Sequence, residues 1–319
     1  LWALPGVTTN VYFVAKHGAD NDPASDTGRG TSLEKPFLTI KYAIEWMNAN
    51  VAAGTNKTLY VKTGLYEEQL PIVVGANTQV IGDGLRSAKV APAAGNSTAS
   101  GLTNTPNSRA DMFRVRNGVT FSGFTFQGMA GTMGTADSFG IQRPNTADGA
   151  TRSGVIFALD PGTGPTDTST HITSKSPFIQ NCTHIGSGSV GIKIDGSLHN
   201  AGNRSILAND FTQIPDNGVG VWALNNAKSE LVSVFTYYAH HGYLCDSGAV
   251  IRSLNSNNSY GEYGSTSTGI DANETPYTGA VDLRDNEAKV GRVLVAGSGI
   301  GRLEFEYAGE TYSSATIAF

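Results

Sequence analysis

The carboxylates best placed for chemistry are Asp195 and Asp246, which end two similar segments, GIKID and GYLCD. The intervening segment has Leu224 and Asn225 there, so two strand spacings separate the aspartates by about 9–10 Å. An inverting glycoside hydrolase holds its acid and base about 6.5–9.5 Å apart, and the pair is compatible with that reaction. Asp followed by Gly or Ser is also ordinary turn chemistry, and we favour the turn interpretation.

Histidines and acids elsewhere are weaker candidates. His240 and His241 are interpreted as a pair at a strand end with one ring exposed. No His or Cys group has the spacing of metal ligands, and Asp20, Asp22 and Asp26 lack the distal Glu of a calcium loop. We therefore expect Asx turns in that loop, no metal and no cofactor.

Aromatic residues gather in the later part of the chain. Exposed rings there can stack on sugars or on a neighbouring subunit, although about half of such residues are expected to lie in the core. The candidates for carbohydrate or subunit contact are Trp222, Tyr237, Tyr238, Tyr243, Tyr260 and Tyr263.

These residues lie in a repeat that must position them. A glycine followed by alternating apolar residues returns as Gly191, Gly220 and Gly242, with steps of 29 and 22 residues. A second strand type recurs between the copies, with Cys182, Phe211 and Phe235 aligned at steps of 29 and 24. Two strand types repeating in phase predict a solenoid, in which stacking buries what one repeat cannot bury alone. We expect Ile194, Leu224 and Cys245 to stack in line along one sheet.

The organisation predicted is an all-β, right-handed parallel β-helix with additions at both ends. Residues 1–57 form a strand, a loop and a helix with Phe37, Ile40, Ile44 and Met47 on one face, which caps the solenoid. Residues 58–277 form the β-helix, with roughly eight coils and a long insertion near 129–153. Residues 278–319 form a small antiparallel β-module.

The composition argues against two classes of function. The net charge is −5 and only 15% of residues are charged, which argues against a nucleic-acid-binding surface. No apolar run reaches the length of a membrane span. The two cysteines, Cys182 and Cys245, are expected to be thiols rather than a disulfide framework.

Three segments carry a family resemblance. The segment GADNDPASDTGRGTSLEKPFLTIKYAIEWMNAN resembles the N-terminal part of right-handed parallel β-helix proteins, including phage tailspikes. The segments LYVKTGLYEEQLPIVV and QVIGDGLRSAKV are similar to the first coils of the pectin-lyase-like superfamily, which includes pectin methylesterases. NSNNSYGEYG resembles a segment of virion structural proteins of tailed phages such as cyanophages. The catalytic motifs of polygalacturonases and pectin methylesterases have no match here.

The resemblance implies a structural component of a phage virion, in a tail, baseplate or fibre, assembled in the host cytoplasm. Two alternatives stay open: a tailspike depolymerase that hydrolyses or eliminates host polysaccharide, and a non-catalytic carbohydrate-binding module. The expected partners are other virion proteins, further copies in a trimer, and a host surface polysaccharide. We expect the segment from Val281 to Phe319 to make the threefold contact.

Overall fold

The computed structural model describes residues 10–21, 25–137, 140–160, 176–197 and 205–268, together with the backbone of four strands between residues 288 and 318. The chain divides into two compact units. The first contains residues 1–135 and 142–271, and the second contains residues 136–141 and 272–319.

The described residues of the first unit form strands of three to eleven residues and one α-helix. Its first strands are β1 Val11–Val14, β2 Lys57–Val61, β3 Gly64–Glu68, β4 Ile72–Val74, β5 Thr78–Gly82, β6 Ala88–Pro92, β7 Asp111–Val115, β8 Thr120–Ala130 and β9 Val155–Leu159. The later ones are β10 Phe178–Ser187, β11 Val190–Asp195, β12 Ser205–Ile214, β13 Val219–Leu224, β14 Lys228–Tyr237, β15 His241–Asp246, β16 Val250–Leu254, β17 Asn257–Ser259 and β18 Tyr263–Thr268.

Two parallel sheets follow from this order. Sheet 1 runs β1-β2-β5-β8-β10-β12-β14-β16, and sheet 2 runs β4-β7-β9-β11-β13-β15-β18. Strands β3, β6 and β17 also belong to sheet 1, where β6 pairs with β3 and β8, and β17 pairs with β14. Successive coils pair in parallel in both sheets. The predicted right-handed parallel β-helix is confirmed. Strand β1 is the first strand of sheet 1, so the solenoid sheet begins well before residue 58.

The glycine repeat sets the register of sheet 2. Val190, Val219 and His241 are partners on successive strands, which reproduces the predicted steps of 29 and 22 residues. A Cβ atom on Gly191 would lie 1.5 Å from Gln213 Oε1 and 2.7 Å from the Gly220 carbonyl oxygen. The two sheets approach too closely at this corner for any side chain, which explains why glycine recurs there.

Two alignments made from the sequence are wrong by one residue. Phe211 pairs with Val234 rather than with Phe235, and Ile194 lies in line with Ala223 and Cys245 rather than with Leu224. The alignment followed residue type, whereas register follows the backbone.

A left-handed residue recurs near the middle of sheet 1. Positive φ values of 48–82° occur at the unpaired position of five successive coils, and four of the five residues are Gly, Asn or Asp, which tolerate this conformation. The residues are Gly123, Asn181, Asp210, Ser233 and Asn255. Each adds one residue outside the alternation of its strand.

The helix α1 spans Ile40–Asn50 and buries Ile40, Ala43, Ile44 and Met47 in the core. Its first amides are held by Glu68, which accepts from Ile40 N at 2.7 Å and from Lys41 N at 3.1 Å. Burial raises the pKa of Glu68 to about 7, although these two hydrogen bonds oppose the shift. That α1 caps the open end of the solenoid stays a prediction.

The second unit contains an antiparallel sheet, in agreement with the predicted β-module. Its strands are β19 Ala288–Ala296, β20 Ile300–Tyr307, β21 Glu310–Ser313 and β22 Ile317–Ala318, with β20 paired to the other three. The side chains of the segment from Val281 to Phe319, on which the threefold contact was predicted, lie outside the described residues.

Candidate functional site

A cavity of about 210 Å³ opens on the outer face of sheet 2, among charged side chains. We call it the Lys193 cavity. Its lining residues are Asp111, Arg114, Arg152, Ala158, Leu159, Lys193 and Asp195. Of these, only Asp195 was singled out from the sequence.

Strand register explains how the cavity forms. Arg114, Ala158, Lys193 and Trp222 are successive partners on β7, β9, β11 and β13, so they occupy one outward row across sheet 2. The methyl group of Ala158 separates two long cationic side chains that start about 9.6 Å apart, at two strand spacings. A small residue between two large ones leaves the space.

Asp111 organises the arginines on one side. Its carboxylate accepts from Arg152 Nη2 at 2.6 Å and from Arg114 Nε at 2.9 Å. Burial alone would raise the pKa of Asp111, but the guanidinium groups of Arg152 and Arg114 outweigh it and hold that pKa below its usual range. Asp111 is therefore an ionised anchor that fixes both guanidinium groups.

Lys193 forms the other side. Its Nζ lies 4.9 Å from the centre of the Trp222 ring, a cation–π contact. Burial lowers the pKa of Lys193, and the carboxylates of Asp111 and Asp195 oppose this shift in part. Among the residues that the structure describes, Lys193 forms no ion pair, so its ammonium group faces the cavity without a paired carboxylate.

Asp195 and Asp246 occupy equivalent positions of sheet 2, with Leu224 between them as expected. Asp195 lines the cavity and accepts from Asn225 Nδ2 at 2.8 Å and from Ser197 N at 2.9 Å. Burial raises the pKa of Asp195, but these hydrogen bonds prevail and that pKa is lowered. Asp195 is therefore an ionised aspartate whose hydrogen bonds stabilise a turn, in line with the turn interpretation.

Asp246 plays a different part. It accepts from Arg143 Nε at 3.0 Å and Nη2 at 2.9 Å, and from Trp222 Nε1 at 2.8 Å, and it is 5% exposed. Arg143 belongs to the insertion after β8, so Asp246 fastens that insertion to β15 and orients the ring beneath Lys193. Of the two aspartates, Asp195 lines the Lys193 cavity, whereas Asp246 is buried against Arg143 and Trp222; that the pair is not catalytic stays a prediction.

His240 and His241 are held at the start of β15. His240 Nδ1 lies 2.6 Å from Glu262 Oε2, and His241 Nε2 lies 2.8 Å from the carbonyl oxygen of Gln142. His240 is 6% exposed and His241 is fully buried, so the expected exposed ring is wrong. Both rings therefore hold neighbouring segments of the chain against the start of β15.

Two of the six predicted contact aromatics form an exposed pair, which we call the tyrosine ridge: Tyr238 and Tyr260. Their rings stack at 5.6 Å with an interplanar angle of 21°, and they are 52% and 78% exposed. Both residues have φ of 59°. A bulky residue in this region is uncommon, and the corresponding turn of the preceding coil, which is one residue longer, has Asp216 and Asn217 with positive φ.

The other predicted aromatics divide between surface and core. Tyr263 is 40% exposed and stacks on His241 at 5.2 Å, while Tyr237 is half-buried. Trp222 and Tyr243 are 4% and 7% exposed, which corrects their assignment as contact residues. Tyr243 lies in the core, with its hydroxyl group donating to the Val234 carbonyl oxygen at 3.2 Å.

No metal-ligand cluster is found in the described ranges. Of the three loop acids, Asp20 accepts from Leu38 N and Thr39 N, Asp26 pairs with Arg29 and Lys35, and Asp22 lies outside the described residues. No helix within the described part of the chain is long and apolar enough to span a membrane. Cys182 and Cys245 are free thiols, the first buried and the second half-buried.

Sequence reasoning missed Asp111, Arg114, Arg152 and Lys193. One signal was present, because Lys193 alternates with the buried Ile192 and Ile194 and must therefore point outward. The others were out of reach, since Arg152 meets Asp111 across 41 residues of sequence.

The comparisons with known proteins place the chain near β-helix structures. No protein-family model and no curated protein matches the sequence. Pectin methylesterase PemA of Erwinia chrysanthemi is 15% identical with a TM-score of 0.36, over 77% of this chain and 67% of that one. The YbhC protein of Escherichia coli is 11% identical with a TM-score of 0.43, over 85% and 70%.

A viral protein is also similar. The ORF18 product of Geobacillus virus E2 is 12% identical with a TM-score of 0.23, over 92% of this chain and 74% of that one. With every one of these TM-scores below 0.5, the likenesses decide neither an activity nor a substrate for this chain.

Proposed function

We propose that this chain is a non-catalytic, β-helical structural component of a phage virion, assembled in the host cytoplasm, that contacts a glycan on the host surface through the tyrosine ridge. The virion assignment is supported by the N-terminal segment and by NSNNSYGEYG, the segment that contains Tyr260. Labelled phage particles would show whether the chain lies in the tail, the baseplate or a fibre.

The observation that carries the glycan contact is the conformation of Tyr238 and Tyr260. A left-handed backbone costs about 1–2 kcal/mol for a residue with a Cβ atom, and the preceding coil has Asp216 and Asn217, not aromatics, in the positive-φ positions of its turn. Strained residues that persist in a fold cluster at ligand sites. Two stacked, exposed rings offer a flat apolar face with hydroxyl groups at its edge, which suits a pyranose ring.

The carboxylates support a binding role over cleavage. Retaining and inverting glycosidases both need one carboxylic acid with a raised pKa to protonate the leaving oxygen. In the Lys193 cavity the pKa values of Asp111 and Asp195 are both lowered. Glu68, whose pKa is raised, is buried beneath the first turn of α1.

The proposal includes a homotrimer and contacts with other virion proteins. Val250 and Leu254 project from β16, the last strand of sheet 1 within the described residues, and both are exposed. Apolar side chains on a terminal strand favour association with another chain. Light scattering of the purified chain is expected to give the mass of three chains, and a monomer at micromolar concentration contradicts the assembly.

Electron micrographs of phage particles labelled with an antibody against this chain test the virion assignment. Label at a fixed position on the tail supports it, and label only on unassembled material contradicts it. Incubation with bacterial surface polysaccharides, followed by assays for reducing ends and unsaturated products, tests the absence of catalysis. Products that disappear in an Asp195→Asn variant would show a depolymerase.

A further inference from the structure

The Lys193 cavity is a second feature, separate from the tyrosine ridge. Three cationic side chains and two carboxylates line it, which leaves a local excess of one positive charge on a chain whose net charge is −5. A concave site of this sign concentrates small anions near the surface of an otherwise acidic protein.

The cations are fixed before any ligand arrives. Asp111 forms ion pairs with both Arg114 and Arg152, at 2.9 and 2.6 Å. Arg152 also donates a hydrogen bond to the Arg109 carbonyl oxygen. Both carboxylate oxygens of Asp111 are occupied, so the arginines and not the aspartate present polar groups to a ligand. Donors fixed in this way lose little conformational freedom on binding.

Lys193 is held by a chain of contacts from the far side. Arg143 binds Asp246, Asp246 accepts from Trp222 Nε1, and the Trp222 ring lies under the Lys193 ammonium group. The ammonium group has no ion pair in the described residues, and a partly buried charge without a counter-ion is unfavourable. An anion in the cavity would supply the missing partner.

We infer that the Lys193 cavity binds a singly charged oxyanion, a carboxylate, between Lys193 and Arg114. One negative charge balances the local excess, whereas a phosphate dianion would exceed it beside two aspartates. A volume of about 210 Å³ admits a group the size of one small acid or one acidic sugar residue, below the range of drug-sized pockets. The inference does not rest on the proposed glycan contact of the tyrosine ridge.

Calorimetric titration of the full chain with sodium glucuronate, sodium acetate and glucose tests this site, with Trp222 fluorescence as a second readout. Glucuronate is expected to bind and glucose to give no heat. Lys193→Met keeps the length of the side chain without its charge and should weaken glucuronate at least tenfold. The matched control Lys35→Met removes a surface cation that pairs with Asp26, and should change affinity less than twofold.

Comparing glucuronate with acetate shows whether the bound carboxylate belongs to an acidic sugar or to a small free acid. Tighter glucuronate binding assigns the cavity to an acidic sugar residue, and equal binding of acetate assigns it to small free acids. Both results support the oxyanion site. Thermal unfolding of each variant shows whether it folds, and Arg114→Gln gives a second test at the other donor. Wild-type affinity in both variants, equal binding of glucose, or no anion binding to the wild type overturns the inference.

Discussion

The Lys193 cavity and the tyrosine ridge lie on the same solenoid but depend on different parts of a coil. The cavity uses outward positions of the strands, where register brings Arg114, Ala158 and Lys193 into one row. The ridge uses a turn, where two successive coils place a tyrosine with φ of 59°. The charged side chains of the cavity are fixed by ion pairs and burial, whereas the rings of the ridge are exposed because of their backbone conformation. Changes at the ion pairs of the cavity should therefore affect stability, and changes in the ridge should affect glycan binding.

The largest effect is expected from Asp111→Asn. The substitution keeps the size of the side chain but leaves Arg152 and Arg114 without their shared carboxylate in a buried place. Removing one partner of a buried ion pair costs about 3–5 kcal/mol, and we expect a loss of about 4 kcal/mol in the free energy of unfolding. Urea unfolding measures it, and a loss below about 1 kcal/mol would show that the arginines are held by other groups.

Asp246→Asn should have the next largest effect. It removes the carboxylate that binds Arg143 and Trp222, but Arg143 is partly exposed and can be rehydrated. We expect a loss of about 2 kcal/mol in urea unfolding, near the range for a hydrogen bond to a charged group.

Asp195→Asn is the matched control for that measurement, because Asp195 lies at the equivalent strand position and accepts from two uncharged donors, Asn225 Nδ2 and Ser197 N. It should lose about 1 kcal/mol or less. Equal losses in the two variants would mean that Asp246 does not anchor the insertion.

Lowering the pH should change the stability contribution of the Lys193 cavity but not that of the tyrosine ridge. Asp111 has a lowered pKa in the folded state, so its stabilising contribution is present above the unfolded value of about 3.9 and is lost as pH falls through the folded pKa. The difference in unfolding free energy between wild type and Asp111→Asn should shrink by about 1 kcal/mol for each pH unit below pH 4. A double variant of the ridge should keep the acid profile of the wild type.

The smallest effect on stability, with the opposite sign, is expected in the ridge. The double variant Tyr238→Asn/Tyr260→Asn places at both positions a residue type that tolerates positive φ, which relieves two strained backbones and loses one stacked pair. We expect the free energy of unfolding to rise by about 1 kcal/mol. Tyr263→Asn is the control, since its ring packs on His241 and its loss should destabilise. A destabilised double variant would show that the ridge holds the fold together.

The sequence was sufficient for the architecture because the solenoid repeats its constraints. The glycine at the crowded corner recurs in three successive coils, as Gly191, Gly220 and Gly242, and this set the register of Val190, Val219 and His241. The alignment of Phe235 failed because it matched phenylalanine with phenylalanine. The buried Val234 pairs with Phe211, whereas the half-buried Phe235 pairs with Thr212 on the opposite face of the strand.

The site was less predictable than the fold. Asp195 and Asp246 were found because they end strands, but their roles depend on Asn225 and Arg143, which lie 30 and 103 residues away in sequence. The Lys193 cavity depends on a small residue, Ala158, between two large ones, and this is visible only once the register is known. Tyr238 and Tyr260 were recognised as aromatics, although their conformation was not.

Binding to a panel of purified bacterial capsular and O-antigen polysaccharides tests the central claim most directly, when wild type and Tyr238→Asn/Tyr260→Asn are compared together with the cavity variant Lys193→Met. We predict that the wild type binds at least one glycan without cleaving it, and that the ridge variant, folded and at least as stable, loses that binding by tenfold or more. Lys193→Met should retain binding to neutral glycans. Full binding by the ridge variant, or new glycan ends produced by the wild type, would contradict this account.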